Sequence, residues 1–569
     1  MSRRGSSNVL KSAVFVTLMG ALVLAACAAP TPDTIVVTRI VEGESVEVEV
    51  TREVLVDPTS DPGIDPRRTA LFIGVSNEPQ TFDPAVNVAA VSGYRFYPSV
   101  YESLIQWAPD GTLEPMLAES WEASDDGLTY RFNLREDVKF SDGTAFNAQA
   151  VEAAFDRFFT LGLGFISLFS SIEEVEVIDE FTVDLHLSQP FAPILSVLAS
   201  WQSAIFVSPT AVAVNEIDGD LSQGWLHDNT AGTGPYTLDV WEPENRIVLV
   251  RNPHYREAAA PDSIQSVVYQ AVGEPATLRQ LLEAGDLDIA HEIQPSLIEP
   301  LTQADGVNVG IEVTHGSSYG QEVYLNLTKE PFSDVNFRRA LAYAIDYDRL
   351  LPVWEGIASA AQGPLPATFA PWFSPEDAIQ YEQDLDKSAE LLAEAGFSVP
   401  IDPPLEFQIF WQGGQTAQRD MAVLLKEDFA PLGIDLEVQE TPIPVWRDAI
   451  WNKEFDFAFI QLPLRYNDPD SFASLVLESS QIGGTGFNPG FSNARVDELI
   501  EEARTETDPE KQREMYNELQ RIVTDEVAML FLVNKLHAFA FGSNVTGIVW
   551  NSNYGPHYVA NDIRIAAER

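Results

Sequence analysis

Cysteine is almost absent from this chain, since Cys27 is the only one among 569 residues. A single cysteine excludes a disulfide framework, so packing of an apolar core has to stabilise the fold. Basic residues are also scarce: 34 Lys and Arg stand against 86 Asp and Glu, which gives a formal net charge of -52. Such a chain repels nucleic acid and anionic lipid headgroups, and we exclude nucleic acid as a partner. We attribute the acidity to the solubility of an extracytoplasmic surface rather than to a cationic partner.

Catalytic and metal-binding patterns are lacking as well. No phosphate loop ending in Gly-Lys-Ser or Gly-Lys-Thr occurs, and the seven histidines are scattered without metal-ligand spacing. Gly483 to Gly486 lacks the strand and helix context of a nucleotide site, so we interpret it as a flexible loop. We therefore predict that the protein is not an enzyme and uses neither a metal nor a cofactor.

Long apolar runs are lacking after Cys27, and the one before it is short. Ala13 to Ala26 has signal-peptide length, follows positive charge, and is too short to span a bilayer comfortably. The run ends in Leu24-Ala25-Ala26-Cys27, which resembles a bacterial lipobox. The resemblance implies cleavage before Cys27 and a diacylglycerol on its thiol, so that two or three acyl chains hold the protein at a membrane. An ordinary secretory signal, with Cys27 placed there by chance, is the alternative.

The next segment, residues 27–69, repeats Val-Thr-Arg and contains three Asp-Pro pairs. Its valine and charge alternation could form a strand or pair with a copy of itself, but low complexity and the Asp-Pro pairs favour a flexible tether. Some 500 remaining residues are too many for one hydrophobic core, so at least two lobes are expected.

Helix and strand patterns then alternate, which indicates α/β lobes. Leu71 to Val75 is predicted to be a strand, and the alternation from Leu128 to Leu134 predicts a half-buried strand. Val151, Phe155 and Phe158 fall on one face of a predicted helix. We place helix N-caps at Asn147, Ser333, Ser492 and Asp508, and helix ends at Gly396 and Gly433. Leu530 to Val533 is predicted to be a buried strand that leads back toward the first lobe.

Longer motifs occur in a fixed order along both halves. They include Tyr101-Glu102-Ser103-Leu104, Leu117-Ala118-Glu119-Ser120-Trp121, Gly232-Thr233-Gly234-Pro235-Tyr236, Asn326-Leu327, Pro331-Phe332, Ala344-Ile345-Asp346, Ala395-Gly396-Phe397 and Asp468-Pro469. This set resembles the extracellular solute-binding proteins of family 5, the peptide- and nickel-binding receptors of ABC importers. The match covers nearly everything from Leu71 to the C-terminus.

The resemblance implies an α/β, two-lobed fold of the periplasmic-binding-protein type (type II, cluster C), with an extra subdomain in the first lobe. We predict a signal peptide (1–26), a lipidated Cys27 with a tether (27–69), a first lobe (70–317), a second lobe (318–528) and a return to the first lobe (529–569). Two crossings between the lobes would make a hinge that closes around a ligand.

One loop departs from the family pattern. Peptide receptors of this family hold the free amine of the ligand on an aspartate three residues before the Asp-Pro turn, and Arg465 occupies that position here. Leu462 replaces the family's tryptophan. An arginine repels an ammonium group and binds carboxylate, phosphate or hydroxyl oxygens. We therefore hypothesise an oxygen-rich or anionic solute, or a peptide bound without its amine being recognised. Alternatively, Asp468 or Asp470 takes the amine, or Arg465 faces solvent.

The resemblance also implies a ligand-binding segment in extended conformation from Val88 to Gly93. We predict that broad aromatic faces stack on the ligand elsewhere in the cleft. The complete predicted ligand-binding set is Val88, Val91, Ser92, Gly93, Tyr94, Ser318, Tyr319, Trp411, Trp446, Arg465 and Tyr466.

Together these features predict a substrate-binding lipoprotein of an ABC importer. It would capture a peptide-like or other small oxygen-rich solute, act as a monomer, and deliver its ligand to the permease and ATPase subunits. It would sit on the periplasmic side or outer face of the cell membrane through its lipid anchor. A sensor or chaperone-like lipoprotein of the same fold is the alternative, because fold alone does not fix function. A secreted hydrolase is a third possibility that no nucleophile supports.

Overall fold

The computed structural model describes residues 33–41, 44–52, 69–88, 90–312, 320–365, 369, 372, 374–461, 465–483, 487–551 and 560–566, with the backbone alone at 33–41, 44–52, 90–92, 94 and 320. The chain divides into two compact units, Met1–Val54 and Leu55–Arg569. In the first unit, β1 (Asp33–Val41) and β2 (Glu44–Arg52) pair antiparallel. This strand pair lies in the segment predicted to be a tether, and the tether itself stays a prediction.

The second unit begins with a lobe of mixed strands and helices. Its strands are β3 (Ala70–Val75), β4 (Ile105–Trp107), β5 (Leu113–Pro115), β6 (Ala118–Ala123), β7 (Thr129–Leu134), β8 (Ile172–Asp179), β9 (Thr182–Leu187), β10 (Tyr236–Glu242), β11 (Arg246–Arg251), β12 (Ser266–Ala271), β13 (Ile289–Ala290) and β14 (Val307–Glu312). Its helices are α1 (Ala90–Val100), α2 (Ala148–Leu161), α3 (Ile194–Leu198), α4 (Pro209–Asn215), α5 (Gln223–Leu226), α6 (Pro275–Ala284) and α7 (Ile298–Thr302).

A second lobe follows, and the chain then returns to the first. The strands of the second lobe are β15 (Gly320–Leu325), β16 (Ala358–Ala360), β17 (Leu405–Gln412), β18 (Ile434–Thr441), β19 (Phe457–Ile460) and β20 (Leu530–Lys535). Its helices are α8 (Val335–Ala344), α9 (Leu385–Glu394), α10 (Thr416–Phe429), α11 (Ile443–Asn452), α12 (Asp470–Phe472), α13 (Ala494–Thr505) and α14 (Pro509–Asp525). The returning strands are β21 (His537–Gly542), β22 (Val545–Thr546) and β23 (Arg564–Ile565).

The first lobe is built on a seven-stranded sheet of order β10-β11-β12-β3-β13-β21-β14. Its strand β3 is buried along its whole length and pairs parallel with both β12 and β13. A strand buried on both faces reads as a continuous apolar run, which is why Leu71 to Val75 was recognisable from the sequence. The predicted strand is confirmed.

A separate four-stranded sheet of order β6-β7-β9-β8 forms the extra subdomain of this lobe. In β7, Tyr130, Phe132 and Leu134 are buried, as the alternation predicts. The Asn147 side chain accepts a hydrogen bond from the backbone N–H of Ala150 and caps α2, and the apolar face of α2 is buried. Both predictions for this subdomain are confirmed.

The second lobe is built on a six-stranded sheet of order β16-β20-β15-β19-β17-β18. Strands β18, β17 and β19 run parallel, whereas β15 runs antiparallel to β19 and β20. Two predicted caps are each wrong by one residue. Asp334 rather than Ser333 caps α8, and Asn493 rather than Ser492 caps α13, because those side chains accept the free N–H groups of the first turn.

Two crossings connect the lobes. The first lies between the end of β14 at Glu312 and the start of β15 at Gly320, and the predicted boundary at 317 falls outside the described residues. The second lies after Lys535, because β20 pairs with β15 and β16 in the second sheet. The return to the first lobe therefore begins with β21, later than the predicted residue 529. Among the described residues, no helix has both the length and the apolar character needed to cross a bilayer.

Candidate functional site

A cavity of about 530 Å³ lies between the lobes. From the first lobe it is lined by the turn that precedes β8 and by the segment after β9, and from the second lobe by the chain after β19 and by α13. Hydroxyl groups dominate its polar lining, which includes Ser167, Ser170, Ser171, Ser188, Ser471 and Ser474. Such a wall offers both donors and acceptors to the oxygens of a solute.

Arg465 carries the positive charge that reaches this cavity. Its backbone N–H donates to Ser471 Oγ at 2.8 Å, and its guanidinium donates across the cleft to Ser167 Oγ at 3.4 Å. Burial lowers the pKa of Arg465 from its ordinary value, while the nearby Tyr466 opposes that shift. Within the described part of the chain, Arg465 forms no ion pair with an acidic residue.

Arg504, the other arginine of the cavity, is neutralised. Its Nε donates to Asp470 Oδ1 at 2.7 Å, and one Nη donates to Glu478 Oε2 at 2.8 Å. Burial disfavours the charged form, but Asp470 and Glu478 together hold the pKa of Arg504 above its ordinary value. The two arginines therefore differ, because Arg504 is paired with two carboxylates while Arg465 has no acidic partner in the described part of the chain.

Neither aspartate of the loop is an open anion. Asp470 accepts hydrogen bonds from Arg504 and, at 2.6 Å, from the hydroxyl of Tyr466. Asp468 is 3% exposed, and burial with the neighbouring Asp470 raises the pKa of Asp468 to about 8. Most Asp468 carboxyls are therefore protonated at neutral pH. The pairing of Asp470 with Arg504 and Tyr466 disfavours Asp470 as the group that takes a ligand amine, whereas the alternative that Asp468 takes it stays a prediction.

The predicted aromatic residues lie in different places. Tyr466 lines the cavity, although its hydroxyl is held by Asp470. Trp411 is buried in β17, and Trp446 in α11 is buried with its Nε1 donating to the backbone oxygen of Phe459 at 2.9 Å. Ligand contact by these two tryptophans stays a prediction. Tyr319 and Ser318 lie outside the described residues.

The segment predicted to be extended is helical from residue 90. Val88 is 58% exposed before the start of α1. Val91, Ser92, Gly93 and Tyr94 lie in the first turns of that helix, and the side chains of Val91, Ser92 and Tyr94 are outside the described part. A Cβ at Gly93 would come within 2.4 Å of the Trp201 ring, so glycine permits this close packing. A helix cannot pair with a ligand backbone as an extended strand does.

A serine-hydrolase pattern, Gly-x-Ser-x-Gly, does occur once in the sequence, at Gly316 to Gly320, so the expectation that catalytic patterns are lacking was wrong for this motif. The catalytic form of this motif needs a strand followed by a helix. Here Gly320 opens strand β15 instead of a helix, and residues 316–319 lie outside the described part.

Charged side chains also meet beside the second crossing. Glu292 accepts from Arg95 at 2.8 Å and from Lys535 at 3.0 Å, and Lys535 is the last residue of β20. The positive charge of Lys535, with a smaller contribution from Arg95, holds the pKa of Glu292 well below its ordinary value despite burial. This cluster joins a residue of α1 to the strand that leaves the second lobe.

The sequence also matches known proteins. Residues 112–484 match the family model of the bacterial extracellular solute-binding proteins, family 5. The chain belongs to this family.

Relatives of this family 5 solute-binding protein support the assignment. The probable D,D-dipeptide-binding periplasmic protein DdpA of Escherichia coli (strain K12) is 31% identical over 84% of this chain and 91% of its own length. The glutathione-binding protein GsiB of Shigella flexneri is 29% identical over 79% of this chain and 86% of its own length. NikZ from Campylobacter jejuni, solved in complex with Ni(L-His), has a TM-score of 0.75 and 23% identity, and the match covers 87% of this chain and 99% of NikZ. The two-lobed fold predicted from the sequence is confirmed.

Proposed function

We propose that this family 5 protein is the extracytoplasmic binding lipoprotein of an ABC importer, held at the membrane through Cys27. In this proposal it captures a small oxygen-rich or peptide-like solute between its lobes and presents that solute to a permease with its ATPase subunits. Membership of an extracellular solute-binding family supports solute capture. Two relatives are named for D,D-dipeptides and for glutathione, and such peptides carry carboxylates.

The observation that carries the choice of ligand is the guanidinium of Arg465 at the cavity between the lobes, without an acidic partner among the described residues. A partly desolvated guanidinium gains most from a bidentate oxyanion. The net charge of -52 repels an anion at a distance. This repulsion is screened beyond about 8 Å at physiological salt, so Arg465 dominates once the solute is inside.

The positions of Arg465 and Ser167 explain how a bound solute would close the lobes. Arg465 belongs to the second lobe and Ser167 to the first, so an oxygen group bound between them contacts both lobes. The backbone N–H of Ala192 already donates to the backbone oxygen of Arg504 at 2.7 Å, which joins the lobes beside the cavity. A ligand that contacts both lobes binds the closed form more tightly than the open form, and this difference in affinity favours closure.

The first experiment is native mass spectrometry of a chain that starts at residue 28, followed by calorimetric titration of any solute that co-purifies. We expect Arg465→Ala to weaken binding of an oxyanion-bearing solute by roughly 10- to 150-fold, the range for a lost charged hydrogen bond. Arg513→Ala is the matched control, because Arg513 pairs with Glu510 on the exposed face of α14. Unchanged affinity in Arg465→Ala would refute the anchoring role.

The lipid anchor needs its own test. The mature protein should begin at Cys27 with a diacylglycerol on its thiol, and Cys27→Ser should release the chain from the membrane fraction. Mass spectrometry of the N-terminal peptide measures both the start and the lipid. A mature protein that begins elsewhere would leave Cys27 without the proposed modification.

Coupling to import is separable from binding. Deletion of the protein should abolish cellular uptake of the co-purified solute, while the purified protein binds it unaided. Intact uptake in the deletion strain would favour the sensor or chaperone-like alternative.

A further inference from the structure

Glu322 is a buried carboxyl group that the fold itself does not satisfy. It lies on β15 with 5% of its surface exposed, and its Oε2 is buried without a hydrogen-bond partner in the described structure. No ion pair compensates it among the described residues, and burial raises the pKa of Glu322 to about 8. Buried polar atoms in folded proteins are almost always paired, so an unpaired carboxyl oxygen calls for an explanation.

The position of Glu322 in the sheet points to a ligand. Glu322 lies opposite Ile460, the last residue of β19, and opposite Phe531 of β20. Strand β19 runs parallel to β17, and the chain that leaves β19 reaches Arg465 five residues later. Open α/β sheets bind ligands at the carboxyl ends of their parallel strands. Glu322 therefore lies where β19 ends, at the edge of the sheet from which the chain runs to the Arg465 loop.

The side-chain alternation of β15 gives its orientation. Gln321 Oε1 accepts from Gln418 Nε2 of α10 at 3.0 Å, so Gln321 faces that helix. The register with β20 shifts between Gln321 and Glu322, so Tyr324, two residues further along, is the better guide to the face of Glu322. The charge of Glu322 contributes to the raised pKa of Tyr324, and residues two apart on a strand share a face, so Glu322 and Tyr324 lie on the same face. The hydroxyl of Tyr324 is also buried without a hydrogen-bond partner in the described structure. One face of β15 thus carries two consecutive unsatisfied polar groups.

The ionised carboxylate of Glu322 would repel an anionic ligand group beside it and attract a cationic one, so binding of a cation is coupled to ionisation of this group. Within the proposed function, on which this inference rests, we propose that Glu322 binds a cationic nitrogen group of the solute. The loop with Arg465 lacks the family's aspartate, and Glu322 supplies a carboxylate from a different strand. The solute is then dipolar, with an oxyanion held by Arg465 and an ammonium or amidinium group held by Glu322.

Proton release distinguishes this role from a structural one. Burial keeps Glu322 largely protonated in the free protein at pH 7, and the nearest titratable neighbour that acts with it is the phenol of Tyr324. A ligand cation favours the carboxylate, so binding should release a proton to the buffer. Calorimetric titration of the unmutated protein in two buffers of different ionisation enthalpy counts that proton.

The variants are Glu322→Gln, which keeps shape, and Glu406→Gln, an exposed glutamate on β17 of the same sheet, as the matched control. The probes are a panel of dipeptides and glutathione, their N-acetylated forms, and nitrogen-free dicarboxylates. We expect free-amine members to bind best, Glu322→Gln to weaken them by roughly 30-fold or more, and both Glu322→Gln and the control to leave nitrogen-free members unchanged.

Several results would overturn the inference. These are equal binding of free and acetylated amines, an amine preference that survives Glu322→Gln, no proton release by a bound amine, or a panel in which no free-amine member binds. If nitrogen-free oxyanions bind and depend on Arg465 while amines give no advantage, the proposed function stands and the role of Glu322 fails. If no solute binds, and none co-purifies, the proposed function fails as well.

Discussion

The Asp83–Arg157 pair offers the sharpest test of what stabilises the first lobe. Asp83 lies in the turn before α1, and Arg157 lies in α2 of the subdomain. Two parallel hydrogen bonds of 2.9 and 2.6 Å join them, and their side chains are 0% and 5% exposed respectively. The Arg157 Nε also donates to the backbone oxygen of Leu221 at 2.9 Å. The pair therefore connects the turn at Asp83, helix α2 and the segment at Leu221 at a site that is buried from water.

Replacing Asp83 by Asn keeps the shape but removes the charge. The new amide would present an N–H to the guanidinium, so one of the two hydrogen bonds becomes a contact between donors. Removing one partner of a buried ion pair leaves an uncompensated charge and costs about 3–5 kcal/mol. With a urea m-value of about 3 kcal/mol per M, the unfolding midpoint should fall by about 1–1.7 M.

The control has the same geometry without the burial. Arg495 and Glu518 form two hydrogen bonds of 2.8 and 2.9 Å, with both side chains 40% exposed. An exposed pair contributes about 0.2–1 kcal/mol, so Glu518→Gln should move the midpoint by at most about 0.3 M.

Urea unfolding followed by circular dichroism measures both midpoints, and amide hydrogen exchange across α2 assigns the change to the first lobe. Faster exchange in α2 should accompany Asp83→Asn alone. If Asp83→Asn and Glu518→Gln lower the midpoint equally, burial does not set the contribution of the Asp83–Arg157 pair, and the reasoning is wrong.

Three further predictions concern single residues. Because the pKa of Glu292 is depressed in the fold, its contribution to stability is present above the unfolded pKa of about 4.3 and is lost as pH falls below it; urea unfolding of Glu292→Gln should therefore differ from the unmutated chain at pH 7 and converge in acid. Gly433→Ala should destabilise more than Gly396→Ala, since both have positive φ but only a Cβ at Gly433 meets backbone, at 2.3 Å from the Ile401 oxygen. Asp468 has a raised pKa, so it stays neutral in the fold while the unfolded chain ionises; Asp468→Asn should gain stability over the unmutated chain as pH rises from about 4 to 8, and a constant difference across that range would contradict the burial of this carboxyl.

Much of the fold could be predicted because its signals are local. The cap Asn147 and the apolar face of α2 need only neighbouring residues, and the structure has both. The caps of α8 and α13 were missed by one position, since Ser333 and Asp334, like Ser492 and Asn493, are both able to cap. Which of the two takes the cap depends on the backbone direction at the helix start, and tertiary packing decides that direction.

The site was less predictable because its parts come from distant segments. Arg465 was found because it breaks a family pattern. No local sequence pattern distinguishes the cavity serines, which lie at 167–188 and 471–474, because only folding brings these two segments to the same cavity. Glu322 was missed for a similar reason. In the sequence it is one glutamate among many, and its significance comes from burial without a partner.

The paired crossings also constrain how a bound state can look from outside. Glu312 of β14 lies opposite His537 of β21 in the first lobe, and Gly320 of β15 lies opposite Asn534 of β20 in the second. The two crossings thus join a pair of hydrogen-bonded strand ends in the first lobe to a pair in the second. Two bodies joined by a single connection can twist freely, whereas two connections whose ends are paired restrict twisting and leave bending as the main degree of freedom. Every occupied molecule should therefore present nearly the same outline to a partner, whichever solute it holds.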